Sequence, residues 1–216
     1  MTTVIAIDGA AGVGKSTLAH RLAAELGLPY VNTGLMYRAL ALRAHRDGVS
    51  PEDAPELERL ARGMRFELDS SVRPPELRID GEPPEPALTS AEVESSVSAV
   101  SRHPEVREVL RREQRRLAVD GAVMEGRDIG SVVAPNADLK LFLRAESRER
   151  IGRRALQRDK DPEHVARSLG TRDQQDARTS PFVPAPDAIV FDTTKLSPDE
   201  VARQVLALVR ERGLVR

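Results

Sequence analysis

An apolar tetrad, Val4-Ile5-Ala6-Ile7, runs directly into Asp8-Gly9-Ala10-Ala11-Gly12-Val13-Gly14-Lys15-Ser16-Thr17. The residue types follow a strict order: a buried strand, a turn of small residues, one lysine and two hydroxyls. The helical pattern KSTLAHRLAAELG comes next and is closed by Gly27. Gly9 through Ser16 satisfies G-x-x-x-x-G-K-[ST], with the strand before it and the helix after it that the motif requires. Glycines let the backbone turn with its N–H groups pointing inward, and the helix adds the positive end of its dipole. The unit is a phosphate cradle made by Gly9, Ala10, Ala11, Gly12, Val13, Gly14, Lys15, Ser16 and Thr17. Lys15 is expected to reach the outer phosphates of a nucleotide triphosphate and the Ser16 hydroxyl to ligate Mg²⁺.

Downstream, the same alternation repeats. YVNTG at 30–34 reads as a short strand entering a turn, and GLMYRALALRAHRDG as a helix ending at Gly48. Apolar strands recur at 122–124, 138–143 and 187–191, with helical stretches near 104–118, 147–158, 162–178 and 198–212. Helix starts are marked by Ser50-Pro51-Glu52-Asp53, Thr89-Ser90-Ala91-Glu92, Asp161-Pro162-Glu163 and Ser197-Pro198-Asp199-Glu200, each pairing a capping side chain with an early carboxylate or proline. Strands alternating with helices imply an α/β fold, a P-loop three-layer architecture with a parallel sheet flanked by helices. Residues 64–86 break the rhythm with short alternating runs, an Asp80-Gly81 turn and several prolines. They read as a small antiparallel insertion, with a solvated linker as the alternative.

Composition narrows the classes. Net charge is −1 over 216 residues, so no global field draws the chain to nucleic acid or a membrane surface. Only four of the 33 basic residues are lysine and 29 are arginine, a bias that suits bidentate phosphate contacts but that an arginine-rich genome also produces. Cysteine is absent, which excludes disulfides and thiolate–zinc sites. No secretory leader and no apolar run approaching the ~18 residues of a membrane helix is visible, so a cytoplasmic protein is expected. No apolar stripe is left over once the core is assigned, and a monomer is expected.

The cradle alone does not name the nucleotide machine. A guanine-reading N-K-x-D is missing, and MEGRD at 124–128 is a loose match to the metal-binding strand end of an energy-coupling ATPase. Three stretches instead point to a second, phosphate-bearing substrate. Asn32-Thr33-Gly34-Leu35-Met36-Tyr37-Arg38 puts a hydroxyl and an arginine at the C-terminal edge of the sheet, where open α/β sheets bind ligands. Gly126-Arg127-Asp128-Ile129-Gly130 follows a strand, so that Arg127 can clamp a phosphate and Asp128 can accept from an amino group. Arg172-Asp173-Gln174-Gln175-Asp176-Ala177-Arg178 supplies further donors.

With these stretches in hand, the chain resembles the bacterial cytidylate kinases of the nucleoside monophosphate kinase family. GAAGVGKST, TGLMYR, HPEVRE, EGRDIGS and RDQQDAR…SPFVPAPDAIVFDTT occur in the family's order and spacing nearly end to end, and the 64–86 insertion matches the extra antiparallel piece of this branch. The resemblance implies ATP as donor with Mg²⁺, and CMP or dCMP as acceptor. It places Thr33, Ser98, Arg107 and Asp128 around the cytosine. Arg38, Arg127, Arg172 and Arg178 fall on the acceptor phosphate and Asp176 near the ribose. Lys15, Arg127, Arg172 and Arg178 become the catalytic cations. It further implies one kinase domain over 1–216, an acceptor-binding insertion at 60–100 and a lid at 153–175. Arg178 stands one residue closer to its following proline than the family pattern has it, while Thr33 and Ser131 stand where serine and threonine are expected.

The chemistry suits these residues. An acceptor phosphate with a second pKa near ~6 is already mostly dianionic at neutral pH, so no general base is required. Two polyanions must instead be neutralised and aligned. Two rivals remain: a kinase for another small acceptor on the same scaffold, and a nucleotide-dependent adaptor or RNA-binding regulator.

Overall fold

The computed structural model describes residues 2–158 and 161–214, with the side chains of 157 and 158 also left aside. Seven strands and eight helices follow in the order β1 (Val4–Gly9), α1 (Lys15–Leu26), β2 (Tyr30–Asn32), α2 (Thr33–Arg46), α3 (Ala54–Gly63), β3 (Phe66–Asp69), β4 (Glu76–Ile79), α4 (Ala91–Ser101) and α5 (Pro104–Leu117). They continue with β5 (Ala122–Gly126), β6 (Leu139–Arg144), α6 (Ser147–Arg158), α7 (Pro162–Thr179), β7 (Ile189–Asp192) and α8 (Pro198–Glu211). Five strands form one all-parallel sheet in the order β2-β5-β1-β6-β7. Every neighbouring pair is joined by a crossover, so the C-terminal ends of all five strands point to one edge.

Strand alternation assigns the two faces. In β1, Ile5 and Ile7 pack toward α1 and α8 with Leu18, Leu22, Val205 and Val209, whereas Ala6 points to the opposite face. On that opposite face Met36, Leu40, Leu57, Val93, Val106 and Leu110 fill the space beneath α2 to α5. With both faces covered, the strands read as nearly continuous apolar runs rather than alternating ones. A third, small cluster of Ala11, Ala155, Val165 and Leu169 seats α6 and α7 over the cradle loop.

The expected insertion is present: β3 and β4 pair antiparallel, with Phe66 opposite Ile79. Phe66 is fully buried in the core under α2 to α5, a contribution of roughly 1.5–3 kcal/mol that fastens the hairpin to the body.

Several boundaries differ from the sequence reading. The helix after Ser50 begins a turn later, at Ala54, because Asp53 rather than Ser50 caps it by accepting from Glu56 N. The Ser50 hydroxyl accepts from Glu52 N in the preceding turn. The second strand stops at Asn32, whose side chain accepts from Leu35 N and so starts α2 at Thr33. The last strand lies at Ile189–Asp192 rather than 187–191. A π-helical turn at Ile129–Val133 had no sequence counterpart. It forms because the buried Asp8 carboxylate accepts from Ile129 N and Gly130 N, both at 2.8 Å, and gathers the turn toward β1. Burial raises the Asp8 pKa to about 6, against the pull of those two N–H groups. Within the stretch expected as a lid, 153–175, residues 159 and 160 lie outside the described residues.

Candidate active site

The register of β1 sets the cradle half of the site. Asp8 pairs with Gly126 and Gly9 with Leu143, so the chain leaves the sheet between two strand ends. Gly9 has φ 144, and a Cβ there would lie 2.3 Å from the Leu143 carbonyl oxygen, so no other residue fits without moving β6. Ala11 through Leu18 then line a cavity of about 980 Å³ at the C-terminal edge of the sheet. Gly9 and Ala10 stand behind that lining and act through their carbonyls: Ala10 O accepts from Lys15 Nζ at 2.8 Å, and Gly9 O from Arg127 Nη1 at 2.6 Å.

Lys15 is half-buried and lines the cavity. Desolvation, assisted by the neighbouring Arg127, lowers its pKa to about 7. Glu125 and Asp8 oppose that shift. Ser16 and Thr17 also face the cavity. Glu125 belongs to the same wall: it is 3 % exposed, lines the cavity at the end of β5 and accepts from the Tyr30 hydroxyl at 2.6 Å. Burial and this carboxylate together push the Tyr30 hydroxyl far above its ordinary pKa, so it stays a donor.

The other half of the cavity is made by side chains from four helices and the β5 end. Thr33, the first residue of α2, is buried and donates from Oγ1 to Glu125 O at 2.8 Å. Arg38 is 7 % exposed and donates to Leu88 O at 2.9 Å. Arg127 is clamped by Asp176, with Nε at 3.1 Å and Nη2 at 2.8 Å from Oδ2, and lies 5.3 Å over the Phe182 ring. Burial pulls its pKa below the usual arginine range, which Asp176 resists. Ser98 donates to the other Asp176 oxygen at 2.9 Å. Arg172 reaches Asp176 and Glu94, and its buried Nε has no hydrogen-bond partner among the described residues.

Asp128 sits where β5 passes into the π-helical turn. Its Oδ2 accepts from Arg107 Nη2 and Arg111 Nη2, both at 2.7 Å, while no described residue donates to Oδ1. Arg107 donates from Nη1 to Ser101 O at 3.2 Å. The carboxylate therefore lines the cavity with one oxygen held and the other open to a ligand.

The fold thus brings together Lys15, Thr33, Arg38, Ser98, Arg107, Arg127, Asp128, Arg172 and Asp176 on one cavity wall or another. Arg178 does not join them. It is exposed and outside the lining, since two residues beyond Asp176 a helix has turned its side chain to the far face, whereas Thr179 and Ser180 line the cavity. That placement lends no support to the acceptor-phosphate role expected for Arg178. Sequence reasoning also missed Arg111, Glu94, Arg154 and Phe182. Arg111 lies four residues after Arg107, and Glu94 four before Ser98, so helical spacing placed each on a face already under suspicion.

A phosphate cradle and an arginine-lined pocket sharing one cavity define a P-loop phosphotransferase with two anionic substrates. Comparison with known proteins narrows this class. The family model for cytidylate kinase matches residues 5–211, and the chain belongs to that family of nucleoside monophosphate kinases. It is 42 % identical over 223 residues to a cytidylate kinase of Desulfitobacterium hafniense (strain Y51), covering 98 % of this chain and 96 % of that protein. It is 41 % identical over 216 residues to a cytidylate kinase of Geobacillus kaustophilus (strain HTA426), covering 96 % of each. The crystal structure of an uncharacterized protein from Eubacterium ventriosum covers 98 % of this chain and 99 % of its own, with TM-score 0.52 and 12 % identity, a likeness of fold alone.

Proposed function

We propose that the chain moves the γ-phosphoryl group of ATP onto CMP or dCMP, giving CDP or dCDP and ADP in pyrimidine nucleotide metabolism. The observation that carries the choice of base is Asp128. Two guanidiniums hold its Oδ2 and so orient the carboxylate, and Oδ1 is left to accept from the exocyclic amine of cytosine. Uracil would set a carbonyl oxygen against that carboxylate, an unpaired and repulsive contact. Ser98, Arg107 and Thr33 supply the remaining polar groups around the base, and Asp176 lies toward the ribose.

Arg38, Arg127 and Arg172 hold the acceptor phosphate, and Lys15 answers the charge of the donor. No side chain removes a proton, because the acceptor oxygen is already ionised at neutral pH. The work is alignment and charge neutralisation. Mg²⁺ fits this wall. Among the described residues no cluster of three metal-ligating side chains exists, and the cavity offers an all-oxygen set of the Ser16 hydroxyl with the buried Glu125 carboxylate nearby. Such a set suits an ion that arrives with the phosphates and keeps several waters. Ser16 would hold it, and it would neutralise charge on the transferred group.

The same reading takes one domain over 1–216, an acceptor-binding arm at 60–100 and a lid at 153–175 that closes when the acceptor is present. A cytoplasmic monomer without nucleic-acid or membrane partners accords with the composition. No described helix is long and apolar enough to cross a membrane, and the exposed large apolar residues Val72, Val119, Leu156, Val183 and Val190 lie scattered over separate elements.

The test is ADP release measured against a panel of nucleoside monophosphates. CMP and dCMP are expected to turn over efficiently, UMP far more slowly, and ATP without acceptor to be hydrolysed only slowly. UMP turnover equal to CMP would overturn the roles of Asp128 and Arg107. Vigorous hydrolysis without an acceptor would overturn acceptor-dependent closure.

A further inference from the structure

Glu94 belongs to none of the expected phosphate or base contacts, yet among the described residues three guanidiniums converge on one of its oxygens. Oε1 lies 3.3 Å from Arg154 Nη2, 3.3 Å from Arg172 Nη1 and 3.7 Å from Arg38 Nη2. All three arginines line the large cavity, while Glu94 is outside that lining and 16 % exposed, so it stands behind them. The arginines come from α6, α7 and α2, and Glu94 from α4. One carboxylate therefore ties together four helices at the point where the two anionic substrates must meet.

Like charges packed this closely repel, and without a fixed anion among them each guanidinium would swing toward water or another acceptor. A central carboxylate converts that repulsion into attraction and sets the spacing of the donors before any phosphate arrives. Arg38 also donates to Leu88 O, which fixes its stem on the acceptor side. α6 and α7 are joined to each other through Arg150 and Asp173. The Glu94 cluster thus links that helix pair to α4, beside the Ser98–Asp176 hydrogen bond between α4 and α7.

We propose that Glu94 is a positioning residue for phosphoryl transfer: it holds Arg38, Arg154 and Arg172 at the separation the reacting phosphates require and fastens α6 and α7 to the acceptor side. This rests on the reading that Arg38 and Arg172 grip the acceptor phosphate. The opposite role, a carboxylate that merely competes with that phosphate for the arginines, makes predictions of opposite sign.

Glu94→Gln keeps the shape and removes the charge, and Glu94→Asp keeps the charge on a shorter stem. In Glu94→Gln, kcat with ATP and CMP is expected to fall about 10–100-fold, the scale on which orienting partners act, with KM for ATP within about twofold. Glu94→Asp is expected to recover a clear part of that loss. Amide hydrogen exchange along α7 should quicken about tenfold in Glu94→Gln, with β1 and β5 unchanged. An unchanged kcat, or an unchanged kcat with a lowered KM for CMP, overturns the proposal in favour of competition. Equal loosening of β1 and β5 overturns it in favour of a general structural role. If the unmodified chain releases no ADP with CMP, the proposed function falls, while the exchange comparison still decides whether Glu94 fastens α7 to α4.

Discussion

The two halves of the cavity are built in different ways. Under the proposed function the donor half is nine consecutive residues, Gly9 to Thr17, whose working groups are mostly backbone N–H and C=O held in place by one strand end and one helix start. The acceptor half draws Arg38 from α2, Ser98 from α4, Arg107 from α5, Arg127 and Asp128 from the end of β5, and Arg172 and Asp176 from α7. Its guanidiniums lie as far as 134 residues apart in the chain, Arg38 to Arg172, and Arg38, Arg107, Arg127 and Arg172 are each held by a carboxylate, a carbonyl or both. A site of backbone groups is rigid once its loop closes. One of long side chains keeps its shape only while its counter-ions hold, here Glu94, Asp128 and Asp176.

The largest expected effect breaks or confirms this division at its seam. Arg127 touches both halves, donating to Gly9 O and to Asp176. Arg127→Ala should lower kcat by about 10²–10³, while ATP affinity, read by calorimetry, stays within about threefold. Loss of ATP binding instead would move Arg127 to the donor half and erase the distinction.

A middling effect concerns the one charged side chain of the donor half. Because the Lys15 pKa is lowered to about 7, the free chain holds this amine largely neutral above that pH. Bound phosphates restore the proton, so ATP binding near pH 8 should take up protons. The dissociation constant should then rise as pH increases from about 7, approaching tenfold per unit. Calorimetry in two buffers of different ionisation enthalpy checks both signs. A pH-independent affinity between 7 and 9 would show that the cavity does not depress this lysine.

The smallest effect is a near-absence of one. Arg178→Ala should change kcat and KM for CMP by less than about twofold, because its exposed side chain lies outside the cavity wall. A tenfold loss in steady-state kinetics would place Arg178 in the acceptor half after all.

What could be read from residues alone follows the same division. The cradle was legible because each of its requirements is local: apolar Val4–Ile7, glycines where φ turns positive at Gly9, Gly12 and Gly14, and Lys15 at the start of α1. The β3–β4 hairpin was legible from alternation and Asp80-Gly81. The start of α3 was misread because Ser50 and Asp53 are both good caps, and only packing of Leu57 and Leu60 under the core chose the second. The π-helical turn was hidden because Asp8, 121 residues earlier in the chain, supplies its anchor.

By itself, the order of residues determined the parallel α/β scaffold and the phosphate cradle, since strand periodicity, caps and turn glycines act over a few residues. Tertiary structure alone decided that Arg178 stays outside, that Arg111 joins Arg107 on one oxygen of Asp128, and that Glu94 stands among three arginines. Those are pairings of charged side chains across distant helices, and their energies depend on separation and desolvation that no local pattern encodes.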